Sequence, residues 1–147
     1  MVSINSAEHR EVGTQLSFAL YAASNRMMRL HKPLLEPLGL TFPQYLVMLE
    51  LLNEAPRTVG DLGGKVGMDT GTITPLLKRL EVAGMVTRTR DVADERRVQI
   101  ALTDAGECVR EALWGITEKI KSACQLTDEG LEALRDTLNS FAHPASE

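Results

Sequence analysis

Cysteine, histidine and long apolar runs are all scarce in this chain of 147 residues, and each scarcity removes a class of function. The two cysteines, Cys108 and Cys124, are too few for a disulfide framework, so a reducing cytoplasm is the default compartment. The three histidines, at positions 9, 31 and 143, have no metal-ligand spacing, and no metal or other cofactor is expected. No stretch approaches the ~20 consecutive apolar residues that a membrane span requires. The early residues Glu8-His9-Arg10-Glu11 lack the apolar core of a signal peptide. There is no internal repeat and no low-complexity segment. No nucleophile–base pair, metal cluster or phosphate loop is visible either, so no catalytic residue is assigned and an enzyme is the least favoured class.

Positive charge is also short overall, with a net charge of −4. Its distribution matters more than its sum. From Pro56 to Arg97 there are eight basic and six acidic residues, so that segment is +2 while the remainder is −6. The asymmetry permits a nucleic-acid partner without requiring one.

What is present is a succession of capped, patterned helices around one core, the size expected of a single domain. Residues 8–35 are expected to form one long helix. Leu16, Leu20, Met27, Leu30 and Leu34 keep helical spacing, and Phe18, Tyr21, Met28 and Leu35 widen the apolar surface beyond one stripe. In a protein this small, a second subunit is the economical cover for such a helix. Thr41-Phe42-Pro43-Gln44 is a capping-box pattern that starts a second helix. Thr58, with Asp61 three residues on, caps a short third helix, and Gly67 turns the chain. Asp69 or Thr70 then caps a fourth helix.

That fourth helix carries Ile73, Leu76, Leu77 and Leu80 at i, i+3, i+4 and i+7, a core-facing stripe. Gly71, Thr74, Pro75 and Lys78 point the other way, with Thr72 and Arg79 on the shoulders. Val98, Ile100 and Leu102 alternate with polar or small residues, as in a half-buried strand. Val86 to Arg90 is its expected hairpin partner, and Asp91 to Arg96 form the tip. A fifth helix from Thr103-Asp104 to beyond Ile120 and a sixth from Thr127 complete the chain. The predicted fold is therefore mainly α with a small β-hairpin (α+β). It has a winged helix-turn-helix region over 41–102, flanked by helical segments at 8–40 and 103–142.

In this order of elements the second helix of the pair can enter a major groove. Gly71 lets a backbone approach closely, Thr70, Thr72 and Thr74 are short hydrogen-bonding side chains, and Lys78 and Arg79 neutralise phosphates. The Pro75 ring suits a thymine methyl. In the wing, Arg88 and Arg90 add positive charge, and Arg96 is the expected minor-groove residue, oriented by Asp94. A charge run alone describes a solvated face equally well; the order of elements around it favours double-stranded DNA.

Longer motifs make the pattern specific. Pro33-Leu34-Leu35-Glu36-Pro37-Leu38-Gly39-Leu40-Thr41, Pro43-Gln44-Tyr45-Leu46-Val47-Met48-Leu49 and Thr74-Pro75-Leu76-Leu77-Lys78-Arg79-Leu80-Glu81 closely resemble the MarR family of bacterial regulators. The organic-hydroperoxide branch is the nearest in pattern, and Asp94-Glu95-Arg96-Arg97 is similar to the family's wing signature. The resemblance covers nearly the whole chain. It implies a cytoplasmic, nucleoid-associated homodimer built from the first, fifth and sixth helices. Such a dimer would bind a pseudo-palindromic operator as a repressor, in stress response.

The resemblance breaks at the sensor. The branch's reactive cysteine falls at Ser17, within Leu16-Ser17-Phe18-Ala19-Leu20-Tyr21, and two activating tyrosines fall at His31 and Phe42. Only Tyr21 keeps its aromatic hydroxyl. A serine hydroxyl cannot enter the thiolate oxidation ladder, so family-type peroxide sensing is not expected. The resemblance implies instead a small aromatic or phenolic ligand, with Ser17, Tyr21, His31 and Phe42 as its candidate pocket. Two alternatives stay open: redox response through Cys108 or Cys124, and a winged-helix adaptor that does not bind DNA.

Overall fold

Side-chain caps set where five of the helices begin. The computed structural model describes residues 11–145. A 3-10 turn, Val12–Thr14, precedes α1, Leu16–Leu35; a second, Glu36–Leu38, separates α1 from α2, Phe42–Asn53. Strand β1, Arg57–Thr58, leads directly into α3, Val59–Val66, which is followed by α4, Thr70–Val82. Strands β2, Val86–Arg90, and β3, Val98–Leu102, form the hairpin. Helices α5, Asp104–Cys108, α6, Arg110–Ala123, and α7, Asp128–Ala142, follow.

The capping box at α2 is complete: Gln44 N–H donates to Thr41 Oγ1 at 3.3 Å, and Thr41 N–H donates to Gln44 Oε1 at 2.9 Å. Thr58 Oγ1 accepts from Asp61 N–H at 3.1 Å, and Asp69 Oδ1 from Thr72 N–H at 2.9 Å, so Asp69 rather than Thr70 caps α4. Between α3 and α4 the chain reverses at Gly67, whose φ of 70° is open to glycine at no steric cost. Thr103 and Thr127 cap α5 and α7 in the same way.

Three strands form one antiparallel sheet in the order β1-β3-β2. Arg57 and Arg88 both lie opposite Ile100, one from each neighbouring strand. Directly opposed residues share a face, so both arginines lie on the side of the fully buried Ile100. Each meets a glutamate from a helix: Arg57 Nη1 hydrogen-bonds to Glu50 Oε1 of α2, and Arg88 Nη1 lies 3.8 Å from Glu81 Oε1 of α4. Met48, Leu51, Leu62, Ile73, Leu77, Leu80 and Val86 complete the core of this region.

Three expectations change. The first helix was expected to start at residue 8; residues 8–10 lie outside the described residues, and α1 begins only at Leu16. Gln15 is extended, with ψ 133°, and Gly13 sits where a helix would lose most backbone entropy. The sheet has a third strand that its two residues were too short to announce. The expected single fifth helix is two helices, broken at Val109, where ψ is −2°. On one side of the break α5 lies against the chain before β2, where Gly106 faces the Met85 carbonyl. On the other, Arg110 is tied to the end of α2, its Nη1 donating to the Leu52 carbonyl at 3.0 Å.

A Cβ on Gly106 would sit 2.2 Å from the Met85 carbonyl oxygen. Backbone must move to admit it, so Gly106→Ala is expected to lower stability by about 2 kcal/mol. Thermal unfolding of the variant beside wild type measures this; an unchanged midpoint would mean that α5 stands off from Met85.

The chain divides into two compact units, Met1–Arg110 and Glu111–Glu147. In the second, Leu113 and Ile116 are buried, and Lys121 Nζ lies 2.9 Å from Asp128 Oδ1 across the turn between α6 and α7. That hydrogen bond and the Asp128 charge raise the Lys121 pKa above the ordinary lysine range. Among the described residues, no helix is long and apolar enough to cross a membrane.

Candidate nucleic-acid interface

Helix α4 is split lengthwise by its sequence. Ile73, Leu76, Leu77 and Leu80 are buried. Thr70, Gly71, Thr72, Pro75, Lys78 and Arg79 are exposed on the other side, and Thr74 is half-buried between them. The exposed face expected from the sequence is present except at Thr74, which was placed on its outer side and is half-buried. Pro75 is the sixth residue of the helix, past the first turn, and removes the N–H that would have bonded to the Gly71 carbonyl. Gly71 itself has only Asp69 Oδ1 near its would-be Cβ, at 3.5 Å.

The wing tip is held by its own hydrogen bonds. Asp91 N–H donates to the Arg97 carbonyl at 2.8 Å, and Arg97 N–H to the Asp94 carbonyl at 2.9 Å. Asp91 Oδ1 accepts from Ala93 N–H at 2.8 Å. Asp94 Oδ1 accepts both from Arg96 N–H at 3.1 Å and from Arg96 Nε at 3.2 Å. Asp94 thus orients a guanidinium whose side chain is 92% exposed. Arg90 is committed to the loop, donating to the Glu95 carbonyl at 2.9 Å. Arg88, by strand parity, points toward α4 and is half-buried.

Between α4 and the wing lies a cleft of about 460 Å³, bordered by Thr70 and Thr74 of α4, Arg88, Arg96, Arg97 and Val98 of the hairpin, and the first residues of α3 with Thr58. Sequence reasoning did not assign Thr58 or Arg97 to this surface. The signal for Arg97 was its place just before a strand, next to Arg96.

The four candidate sensor residues separate into two pairs. His31 and Phe42 meet edge-to-face with ring centroids 4.9 Å apart, and Tyr45 stands 5.3 Å from His31. His31 is buried, and its Nδ1 lies 2.8 Å from the Met27 carbonyl oxygen, which can only accept, so Nδ1 carries the hydrogen. Ser17 and Tyr21 are exposed on the same continuous helix. At ~1.5 Å per residue they are ~21 and ~15 Å from His31 along the axis. One chain therefore does not bring the four together. Phe42 instead lines a different cavity of about 310 Å³ with Met28, Lys32, Leu35, Glu36, Leu40 and Thr41. Cys108 is exposed and Cys124 half-buried, and both are free thiols. Among the described residues, no group of three or more His, Cys, Asp or Glu could hold a metal ion.

Comparisons with known proteins agree with this architecture. The family model for the transcriptional regulator SarA/Rot matches residues 29–113. The organic hydroperoxide resistance transcriptional regulator of Bacillus subtilis (strain 168) is 40% identical over 134 residues, covering 91% of each chain. The HTH-type transcriptional regulator SarZ of Staphylococcus saprophyticus is 38% identical over 130 residues, covering 88% of each. Among solved structures, reduced AbfR bound to DNA superposes with a TM-score of 0.76 at 34% identity, over 95% of this chain and 97% of that one. These relatives are regulators rather than enzymes. The chain belongs to the SarA/Rot family of MarR-like winged-helix transcriptional regulators.

Proposed function

We propose that this regulator is a homodimeric repressor that binds a pseudo-palindromic operator and is released by a small ligand rather than by oxidation of a cysteine in α1. The observation that carries the DNA reading is the continuous surface formed by the outer face of α4, the cleft beside it and the exposed Arg96 of the wing. Thr70, Gly71, Thr72, Thr74, Pro75, Lys78 and Arg79 face the major groove. Arg96, steadied by Asp94, enters the minor groove, and Arg90 shapes the loop that presents it. That AbfR has been solved on DNA supports the same use of this fold.

Pairing of two copies is supported by apolar side chains that a lone chain leaves in water. On α1 these are Leu16, Phe18, Tyr21 and Met28; on α7 they are Leu134, Leu138 and Phe141. A ligand site near Phe42 is supported by the apolar cavity there, with Lys32 at hand for an anionic group. A second copy is also what would bring a Ser17–Tyr21 pair to a His31–Phe42 pair.

The test is selection of duplexes from a random pool, followed by anisotropy titrations across salt and with a panel of aromatic acids and cumene hydroperoxide. A steep fall of affinity with salt is expected, each neutralised phosphate adding about −0.9 to the log–log slope. An aromatic acid should release the duplex, and hydroperoxide should leave affinity unchanged. Release by hydroperoxide that disappears on changing Cys108 and Cys124 to Ser would replace the ligand reading with a redox one. A flat salt response with no selected sequence would replace DNA binding with an adaptor role.

A further inference from the structure

Arg88 presents a chemical mismatch that the DNA reading alone does not use. Its Nε is the one side-chain nitrogen or oxygen, among the described residues, that is buried without a hydrogen-bond partner. Its contact with Glu81, at 3.8 Å, is longer than a hydrogen bond and leaves most of the guanidinium fork uncommitted. Glu81 is itself substantially exposed, so solvent screens the pair. A buried donor in this state favours any acceptor that can reach it.

The surroundings specify what that acceptor is. Arg88 lines the cleft beside α4 together with Arg96 and Arg97, the hydroxyl-bearing Thr58, Thr70 and Thr74, and no acidic residue. The guanidinium groups of Arg88 and Arg97 and three hydroxyls are capable of donating, a set that matches a tetrahedral oxyanion, while Arg96 at the rim has its Nε on Asp94 and adds positive charge. Strand parity explains why the sequence hid this. Arg88 shares the inward face of β2 with buried Val86, so it reads as a core position occupied by a charge. It lies under the cleft rather than on the outer surface.

We propose that this cleft is an oxyanion seat for one phosphate group, with Arg88 as its floor and Glu81 as an internal competitor for the guanidinium. Binding transfers Arg88 from its loose pairing with Glu81 to a bidentate contact with the phosphate. The phosphate comes from the DNA backbone or from free orthophosphate; only the first source rests on the DNA reading above. The same exchange makes Glu81 a brake on phosphate binding, with a sign opposite to that of a structural tie.

The experiment is nitrogen-15 NMR of the full chain, following arginine Nε–Hε signals at constant ionic strength. Inorganic phosphate is titrated first, then a selected duplex. One signal, absent in Arg88→Lys, should shift saturably with phosphate. Glu81→Gln should tighten phosphate binding by about fivefold, because it removes a screened charge ~4 Å away. With duplex, Arg88→Lys should weaken binding by about tenfold with little change of salt slope, because lysine keeps the charge and loses the bidentate fork, while Glu81→Gln acts in the opposite direction. Saturable phosphate binding without duplex binding would support the seat and overturn the DNA reading. An Arg88 signal that ignores both phosphate and bound duplex would overturn the seat and leave DNA binding standing. So would a Glu81→Gln variant that weakens binding as Arg88→Lys does, since Arg88 would then serve only to tie the wing to α4. If Arg88→Lys does not fold, the wild-type signals and Glu81→Gln still decide.

Discussion

Operator affinity is expected to fall about a hundredfold when Arg96 is replaced by alanine. A single well-placed arginine contact is worth ~1–3 kcal/mol; at ~1.4 kcal/mol it is worth about tenfold, and a dimer on a palindrome makes it twice. The free chain supports a large effect, because Asp94 Oδ1 accepts from both the backbone N–H and the Nε of Arg96 and so orients the guanidinium before binding. That contact reduces the side-chain freedom that binding would otherwise cost. Asp94→Ala should act in the same direction and more weakly, since it leaves the charge and removes only the orientation. Lys78→Ala should weaken all duplexes alike and reduce the salt slope by ~1 for each phosphate that is no longer neutralised, the signature of a residue that reads backbone rather than bases. Anisotropy titrations on selected and scrambled duplexes separate the two behaviours. Unchanged affinity in both Arg96→Ala and Lys78→Ala would remove the wing and α4 from the interface.

These residues were legible because their signals are local. A cap is a residue type at a fixed offset from the helix it starts, and Thr41, Thr58, Asp69, Thr103 and Thr127 all cap as their spacing indicates. The buried stripe of α4 follows from helical periodicity, and its outer face follows by subtraction. What escaped depends on neighbours distant in sequence. Strand β1 is two residues long, too short for any period, and exists because β3 offers it an edge. The break at Val109 depends on Gly106 meeting Met85 and on Arg110 reaching Leu52. Arg88 and Arg96 look alike in the sequence, and only the register with Ile100 turns one inward. The sensor residues show the same limit: a family pattern places Ser17 and His31 in one site, while a single straight helix keeps them apart.

Arg57→Ala is expected to cost about 3 kcal/mol of folding stability, more than the Gly106 substitution. Arg57 and Glu50 form a charge pair whose side chains are 9% and 23% exposed. Removing one member of such a pair leaves the other charge desolvated, which costs more than the pair itself contributes. The value is set at the low end of the buried range because Glu50 keeps some access to water. The double replacement Arg57→Met with Glu50→Leu removes both charges and keeps the volume, so it should lie within ~1 kcal/mol of wild type. Urea unfolding with unchanged m-values would show that the comparison concerns the native state. If the single and double variants lose the same amount, the side-chain packing of Arg57 rather than its charge supports β1. The result also bears on the wing. Arg57 and Arg88 flank Ile100 from opposite sides, and each faces a helix glutamate. Arg57 reaches a hydrogen bond and closes its pair, whereas Arg88 stops at 3.8 Å and keeps a buried donor open. If closure is what makes the first pair structural, Arg88→Met with Glu81→Leu should be about as stable as wild type yet lose phosphate binding. The contrast between the pairs lies in the single variants: Arg88→Ala should cost less than Arg57→Ala, because Glu81 is 42% exposed and stays solvated once its partner is gone.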